Sequence, residues 1–171
     1  MKDANESSAR IGGRLARNIA GWIFTASYEH RHEFGGVYTN RLFVANDVSG
    51  SVARAFTSGN VTMAPTVLLQ YRFADLAAAR RYRLDLVLPI EVRFDERWSV
   101  LATPMAELFW FTDGVNSGRR DQIYSTSLGL RYRISSNISL TNSVLYERRV
   151  SNVPIRHFQN LEVGPKLDFA F

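Results

Sequence analysis

Strict two-residue alternation through residues 81–94 is the sequence feature that most constrains how this chain can fold. One set of alternate positions is apolar throughout, from Tyr82 to Phe94, and the other set carries five charged residues. Successive side chains of a β-strand point to opposite faces, so the segment is predicted to be a strand. One face of that strand is unbroken apolar surface and the other is charged, so each face needs a different solvent. Such a strand is hard to place in water.

The same alternation recurs in seven further segments, and we therefore predict eight strands. These segments are residues 20–32, 40–56, 60–73, 98–111, 122–134, 137–149 and 160–171. Residues 40–56 show the weakest pattern, because Asn46 and Arg54 share the apolar face and Gly50 interrupts it. A bulge, or a turn within residues 46–50, is an equally good interpretation there.

The last segment carries the clearest alternation. Its apolar face consists of Leu161, Val163, Pro165, Leu167, Phe169 and Phe171. This pattern resembles the C-terminal strand of small eight-stranded outer-membrane β-barrels of the OmpA and OmpX type, which ends in an aromatic residue. The resemblance implies a closed, antiparallel, up-and-down, all-β transmembrane barrel. It also implies that Leu167, Phe169 and Phe171 form an assembly signal for the outer-membrane assembly machinery.

The predicted connections alternate between short and long, as a barrel of this type requires. Short links fall at 58–59, 95–97 and 135–136, and long ones at 33–39, 74–80, 112–121 and 150–157. We expect the short turns on the periplasmic side and the long loops outside. Aromatic residues gather near strand ends, which favours two girdles at the membrane interfaces. They are Trp22, Tyr28, Tyr71, Phe73, Tyr82, Phe94, Trp98, Trp110, Tyr124, Tyr146, Phe169 and Phe171.

Composition excludes several other classes of protein. The chain has no run of the ~20 apolar residues that a membrane-spanning helix needs. It has no cysteine, so disulfides and thiolate metal sites are excluded. The net charge of +5 suggests nucleic acid, but the arginines are dispersed along the strands rather than clustered. We therefore expect no nucleic-acid partner, and no motif predicts a cofactor or a metal site.

The N-terminal residues are expected to lie outside the barrel. Residues 1–17 are interpreted as a polar periplasmic segment and residues 18–171 as the transmembrane barrel. The first eight residues lack the apolar core of a signal peptide, which an outer-membrane protein needs. Either Met1 is a start codon placed before a mature sequence, or the chain is a fragment.

If the apolar faces meet lipid, the opposite faces fill the barrel. Buried charges are costly unless they are paired, so we predict a network of arginine–carboxylate bridges that crosses the lumen and plugs it. A proton or ion path is the alternative role of this network. The predicted members are Glu29, Arg31, Arg72, Arg83, Asp85, Glu91, Arg93, Glu107, Arg131, Arg133, Glu147, Arg149, Glu162, Lys166 and Asp168.

Three histidines are the only candidates for catalysis. His30 and His32 end the first predicted strand and His157 precedes the last. The first and last strands of a closed barrel are neighbours, so the three side chains could meet at the outer rim. Some small outer-membrane barrels modify lipid A with such groups, although their motif is not matched here.

The sequence thus predicts a bacterial outer-membrane barrel with a structural or interaction role through its outer loops. Its expected partners are outer-membrane lipids and lipopolysaccharide. Two alternatives stay open: a lipid A or phospholipid modifying enzyme at the outer rim, and the C-terminal part of a larger pore or transporter.

Overall fold

The structure, a computed structural model, describes residues 6–35 and 40–169. These residues form twelve β-strands: β1 (Glu6–Ile19), β2 (Trp22–Gly35), β3 (Asn40–Arg54), β4 (Phe56–Ser58), β5 (Val61–Met63), β6 (Thr66–Ala74), β7 (Arg81–Val87), β8 (Ile90–Arg93), β9 (Trp98–Phe111), β10 (Arg120–Arg133), β11 (Ile138–Ser151) and β12 (Phe158–Phe169). Three short 3-10 turns span Ala77–Ala79, Gly114–Asn116 and Pro154–Arg156. No helix in the described residues is long and apolar enough to cross a membrane.

Three of the strand boundaries are interruptions within a continuous strand path. Between Val87 and Ile90 the chain advances three residues, and the paired residue moves back three, from Met105 to Ala102. The register is likewise unchanged from β3 to β4 and from β5 to β6. Pro65 and Pro89 lie in two of the gaps, where a proline has no N–H to donate to the ladder. When β3 with β4, β5 with β6, and β7 with β8 are each counted as one strand path, the described residues contain nine strand paths, here called passes.

Eight of the nine passes match the eight predicted strands, including residues 40–56. β3 pairs continuously with β2 through residues 46–50, so the bulge or turn considered there is absent. The register shift between β2 and β3 lies instead at Glu33/Phe34, near the end of β2.

The ninth pass is β1, which corrects the expectation that residues 1–17 lie outside the sheet. β1 pairs with β2 along its whole length, from Glu6 opposite Gly35 to Ile19 opposite Trp22. Its apolar residues Ile11, Leu15 and Ile19 recur every four positions, so the two-residue pattern was too sparse to recognise. Ala20 and Gly21 have φ of 52° and 82°, the left-handed geometry of a tight hairpin turn.

The sheet is not closed within the described residues, contrary to the predicted eight-stranded barrel. Its strand order runs β1-β2-β3-β6-β7-β9-β10-β11-β12, with β4, β5 and β8 as the short continuations. All pairs are antiparallel, and no pairing joins β1 to β12 in this part of the chain. In an antiparallel sheet of nine passes the first and last run in the same direction. β1 and β12 are therefore parallel edges, which cannot pair as an antiparallel barrel requires.

The pairing register keeps the predicted apolar positions of the described strands on one side of the sheet, the apolar face. Its side chains are exposed, as shown by Leu69 at 62% and Leu128 at 56% exposure. On the opposite side, the charged face, Asp85 is 5% and Asp121 is 3% exposed. In a water-soluble protein the apolar side would be the buried one. The predicted apolar and charged positions therefore lie on opposite sides of the sheet.

Aromatic residues bound the apolar face at both ends of the strands. Trp98 and Trp110 lie on β9 twelve residues apart, which is ~40 Å along a strand. At the ~45° tilt of a membrane barrel this corresponds to ~28 Å, close to the ~25 Å apolar band of such barrels. Ring contacts strengthen both rows: Tyr71 and Tyr82 are 4.4 Å apart between centroids, and Trp98 and Tyr132 are 4.6 Å apart.

Short and long connections alternate as predicted in most of the sheet. The short ones lie at 20–21, 59–60, 94–97 and 134–137, and the long ones at 75–80, 112–119 and 152–157. The connection between β2 and β3, residues 36–39, was predicted to be long but is no longer than 94–97, and it lies outside the described residues.

The three long connections contact one another through hydrogen bonds. Asn116 donates its side-chain N–H to the Ala78 carbonyl at 2.8 Å, and Asn152 donates to the Gly118 carbonyl at 3.0 Å. Asp75 ties residues 75–80 to β3, since its carboxylate accepts the backbone N–H of Val44 at 2.8 Å and pairs with Arg41. The Val44 hydrogen bond first, and the Arg41 bond second, hold the pKa of Asp75 below its usual value. The long-connection end is thus an ordered rim.

Candidate functional site

The charged face is the part of the molecule that carries its chemistry. No second sheet or helix covers this face in the described residues, yet several of its carboxylates are buried. Side chains of the same and neighbouring strands cover these carboxylates, as Arg72 covers Asp47 and Arg83 covers Asp85. The register places all fifteen predicted charges on this face.

Asp47, Arg72 and Arg31 form the first cluster, near the long-connection end. Arg72 donates to both oxygens of Asp47 at 2.7 Å, a bidentate bond between two buried groups. Arg31 lies 3.8 Å from the same carboxylate and also pairs with Glu29 at 2.7 Å and Glu33 at 3.0 Å. Two arginines therefore share three carboxylates across β2, β3 and β6.

Arg83 organises the second cluster. Asp85 on β7 and Glu107 on β9 are directly opposite each other, which alone would be repulsive. Arg83 donates to Asp85 at 2.6 Å and also binds Glu107, so one guanidinium compensates both carboxylates.

Arg119 and Asp121 form the third cluster, at the start of β10. Arg119 donates to the Asp121 carboxylate, and the Ser151 hydroxyl donates to it at 2.6 Å. The Arg119 guanidinium also lies 4.1 Å from the centre of the Phe111 ring. This cluster connects the rim to β10 and β11.

The remaining predicted charges are paired more loosely. Arg93 donates to Glu91 at 3.0 Å, and Arg131 lies 3.7 Å from the same carboxylate. Lys166 and Asp168 pair at 2.6 Å near the end of β12, where both are exposed. Within the described residues, four predicted members have no ion-pair partner: Arg133, Glu147, Arg149 and Glu162.

The ion pairs run along the wall of the sheet. On the charged face of the described chain, each pair joins residues of the same strand path or of adjacent strands, except Arg131 with Glu91. In that pair, Arg131 on β10 reaches across the single intervening strand β9 to Glu91 on β8. The sequence predicted bridges that cross an interior, whereas these pairs line it.

Three charged residues of these clusters were not among the predicted members: Asp47, Arg119 and Asp121. Asp47 lies in the weakest predicted segment, and the strand that contains Asp121 was predicted to begin one residue later. Extending the two-residue alternation through both segments would have placed these carboxylates on the charged face.

The histidines are not brought together as a group of three. His30 and His32 contact each other on the apolar face, with 3.0 Å between their Nε2 atoms. Asn46 accepts hydrogen bonds from Tyr28 at 2.6 Å and from His30 Nδ1 at 2.8 Å. His157 precedes β12, at the opposite edge of the open sheet, and bonds the Ser151 carbonyl at 2.7 Å. No group of three potential metal ligands occurs in the described residues.

The predicted assembly signal is described only in part. Leu167 lies on the apolar face and is 50% exposed, and Phe169 ends β12. Phe171 lies outside the described residues.

An exposed apolar band between two aromatic rows, backed by a crowded charged face, defines the fold of a transmembrane β-barrel wall. Comparison with solved structures agrees with this class. The chain is similar to OmpT, an outer-membrane protein of Vibrio cholerae folded in vitro, with a TM-score of 0.62 and 9% identity over 98% of this chain and 56% of that one. A loop L8 deletion mutant of the same OmpT matches with a TM-score of 0.62 and 11% identity, covering 98% of this chain and 55% of that one.

At these identities the similarity shows the fold alone. The chain spans about half the length of the OmpT structures that it matches. No protein-family model matches the sequence, and no curated protein matches it.

Proposed function

We propose that this chain forms part of the wall of a bacterial outer-membrane pore larger than the nine passes described here. The observation that carries this proposal is the exposed apolar face bounded by aromatic rows at both ends. Such a face is stable only in contact with lipid or another apolar surface. The charged face then lines a water-filled interior.

The sheet edges support a barrel of more strands. Bacterial single-chain barrels have an even number of antiparallel strands, and the described sheet has nine passes with parallel edges. An unpaired edge inside a membrane leaves backbone N–H and C=O groups without partners, at a cost of several kcal/mol each. At least one further pass must therefore join β1 to β12. The half-length match to OmpT agrees with this requirement.

An open interior is favoured over the plugged one that the sequence suggested. Eight strands leave room only for side chains, but wider barrels hold an aqueous channel. Ion pairs that run along the wall, rather than across the interior, leave the centre free.

The orientation and partners follow from this role. The long connections face the outside and the short turns face the periplasm. Outer-membrane lipids and lipopolysaccharide surround the apolar face, and the assembly machinery reads the strand that contains Leu167 and Phe169. A lipid-modifying site at the rim has less support, because His157 and the pair of His30 and His32 lie toward opposite edges of the sheet.

A single charge on the apolar face tests its contact with lipid. Leu128 is 56% exposed at mid-strand, and an arginine at the bilayer midplane costs ~2–4 kcal/mol. We expect Leu128→Arg to destabilise the protein in lipid vesicles, lowering its free energy of unfolding by about 2–4 kcal/mol, as measured by equilibrium unfolding in urea.

Val115→Arg provides the matched control. Val115 lies in the rim at 95% exposure, so the same charge there should leave stability unchanged. Equal stabilities of Leu128→Arg and wild type would contradict the proposal.

A further inference from the structure

Two pairs of arginines face each other across neighbouring strands of the charged face. Arg10 on β1 is directly opposite Arg31 on β2, and Arg72 on β6 is directly opposite Arg81 on β7. Like charges in directly opposed positions of a sheet repel each other and destabilise the pairing. Each pair therefore requires a compensating negative charge.

One arginine of each pair is compensated by carboxylates and the other is not. Arg31 and Arg72 share Glu29, Glu33 and Asp47. Arg10 bonds only the Ser8 hydroxyl, at 3.1 Å, among the described residues. Arg81 has no carboxylate partner in the same part of the chain, and its guanidinium lies 5.0 Å and 5.7 Å from the ring centres of Phe109 and Phe111.

All four arginines line a single cleft of about 310 Å³ near the long-connection end. Among the described residues Glu33 is the only carboxylate in its lining, and Arg31 already binds it at 3.0 Å. Ser8 also lines the cleft, and its hydroxyl accepts from Arg10, so its own O–H is available to donate. Counted with Glu29 and Asp47, the four arginines exceed the carboxylates that pair with them by one positive charge. Arg10 and Arg81 are the two arginines of the cleft without a carboxylate partner in the described residues, and Ser8 adds a hydroxyl donor.

We propose that this cleft binds a tetrahedral oxyanion such as phosphate, held by Arg10 and Arg81 from opposite sides. Guanidinium groups present planar pairs of N–H donors that match the oxygens of such an anion. An oxyanion there would offset the excess positive charge and weaken the repulsion within each arginine pair. The inference needs only the cleft and holds whether or not the chain forms part of a pore.

Inorganic phosphate is the probe that tests the cleft. Full-length protein in a non-ionic detergent at low ionic strength should bind phosphate saturably in calorimetric titration. Binding should weaken as salt is added, because exposed charges are screened. Arg81→Gln should weaken it by about tenfold or more, since a charge-assisted hydrogen bond is lost. Arg81→Lys keeps the charge but lacks the planar pair of N–H donors, so its affinity for phosphate should lie between those of wild type and Arg81→Gln.

Arg133→Gln is the control, because Arg133 lies on the same face without a carboxylate partner in the described residues and does not line this cleft. It should bind phosphate as wild type does. If Arg81→Gln does not fold, Arg10→Gln on the exposed strand β1 decides instead and should show the same loss. Absence of saturable binding to wild type, or an equal loss in Arg133→Gln, would overturn the proposal.

Discussion

At the scale of single residues, Asp47 illustrates how the charged face depends on matched partners. Asp47 is 4% exposed and Arg72 is 7% exposed, so neither charge can be stabilised by bulk water. Their bidentate bond and the nearby Arg31 take the place of that water. A buried pair of this kind adds little net stability, but losing one partner is costly because it leaves the other charge buried alone.

Asp47→Asn should therefore destabilise the protein by about 3–5 kcal/mol, measured by urea unfolding in lipid vesicles. Adding Arg72→Gln to this variant should restore part of the loss, because the stranded charge is removed. Asp168→Asn is the comparison, since its pair with Lys166 is exposed and should contribute only about 0–1 kcal/mol. Similar losses in the two single variants would show that burial of Asp47 is not what makes its pairing important.

At the scale of elements, β1 depends on close backbone contact with β2. A Cβ atom on Gly12 would lie 2.3 Å from the Tyr28 carbonyl oxygen, much closer than real Cβ atoms approach. A Cβ atom on Gly13, the next residue, would meet nothing within 4 Å. β1 is an edge strand with most side chains exposed, so its pairing to β2 supplies most of what holds it in place.

Gly12→Ala should push β1 away from β2, whereas Gly13→Ala should leave the pairing intact. Hydrogen exchange of the β1 amides is the measurement. We expect protection to fall in Gly12→Ala, while β10 and β11 stay as protected as in wild type. Equal protection of β1 in the two variants would contradict the close approach.

At the scale of the whole molecule, the odd number of passes in the sheet decides what the protein can form. The nine antiparallel passes of the described residues leave parallel edges, and both edge strands carry exposed apolar side chains, with Leu15 at 80% and Val163 at 75% exposure. Closure needs further strands, supplied by more of the same chain or by another copy. A barrel enlarged in this way has a wider interior than eight strands enclose.

Native mass spectrometry and planar-bilayer recording of detergent-extracted protein should test this closure together. We expect a folded particle larger than one 171-residue chain, with stepwise conductance that a heat-unfolded sample lacks. A folded particle of one such chain would contradict the larger barrel. A larger particle without conductance would support the plugged interior instead.

Two-residue alternation determined, from the sequence alone, that this chain forms strands with an exposed apolar face and a crowded charged face. That inference was reliable because alternation is a local property: neighbouring side chains of a strand point to opposite sides whatever the partner strand is. The eight predicted strands, the aromatic rows and the alternation of short and long connections all follow from it.

Only the tertiary structure revealed the ninth pass, because β1 has apolar residues every four positions and is recognised by its pairing with β2. Strand pairing also decided which charges meet, as in Asp47 with Arg72 and Arg10 opposite Arg31, since register joins residues that are distant in sequence. For the same reason, strand order in the sheet decided where His157 lies relative to His30, and spacing along the chain did not.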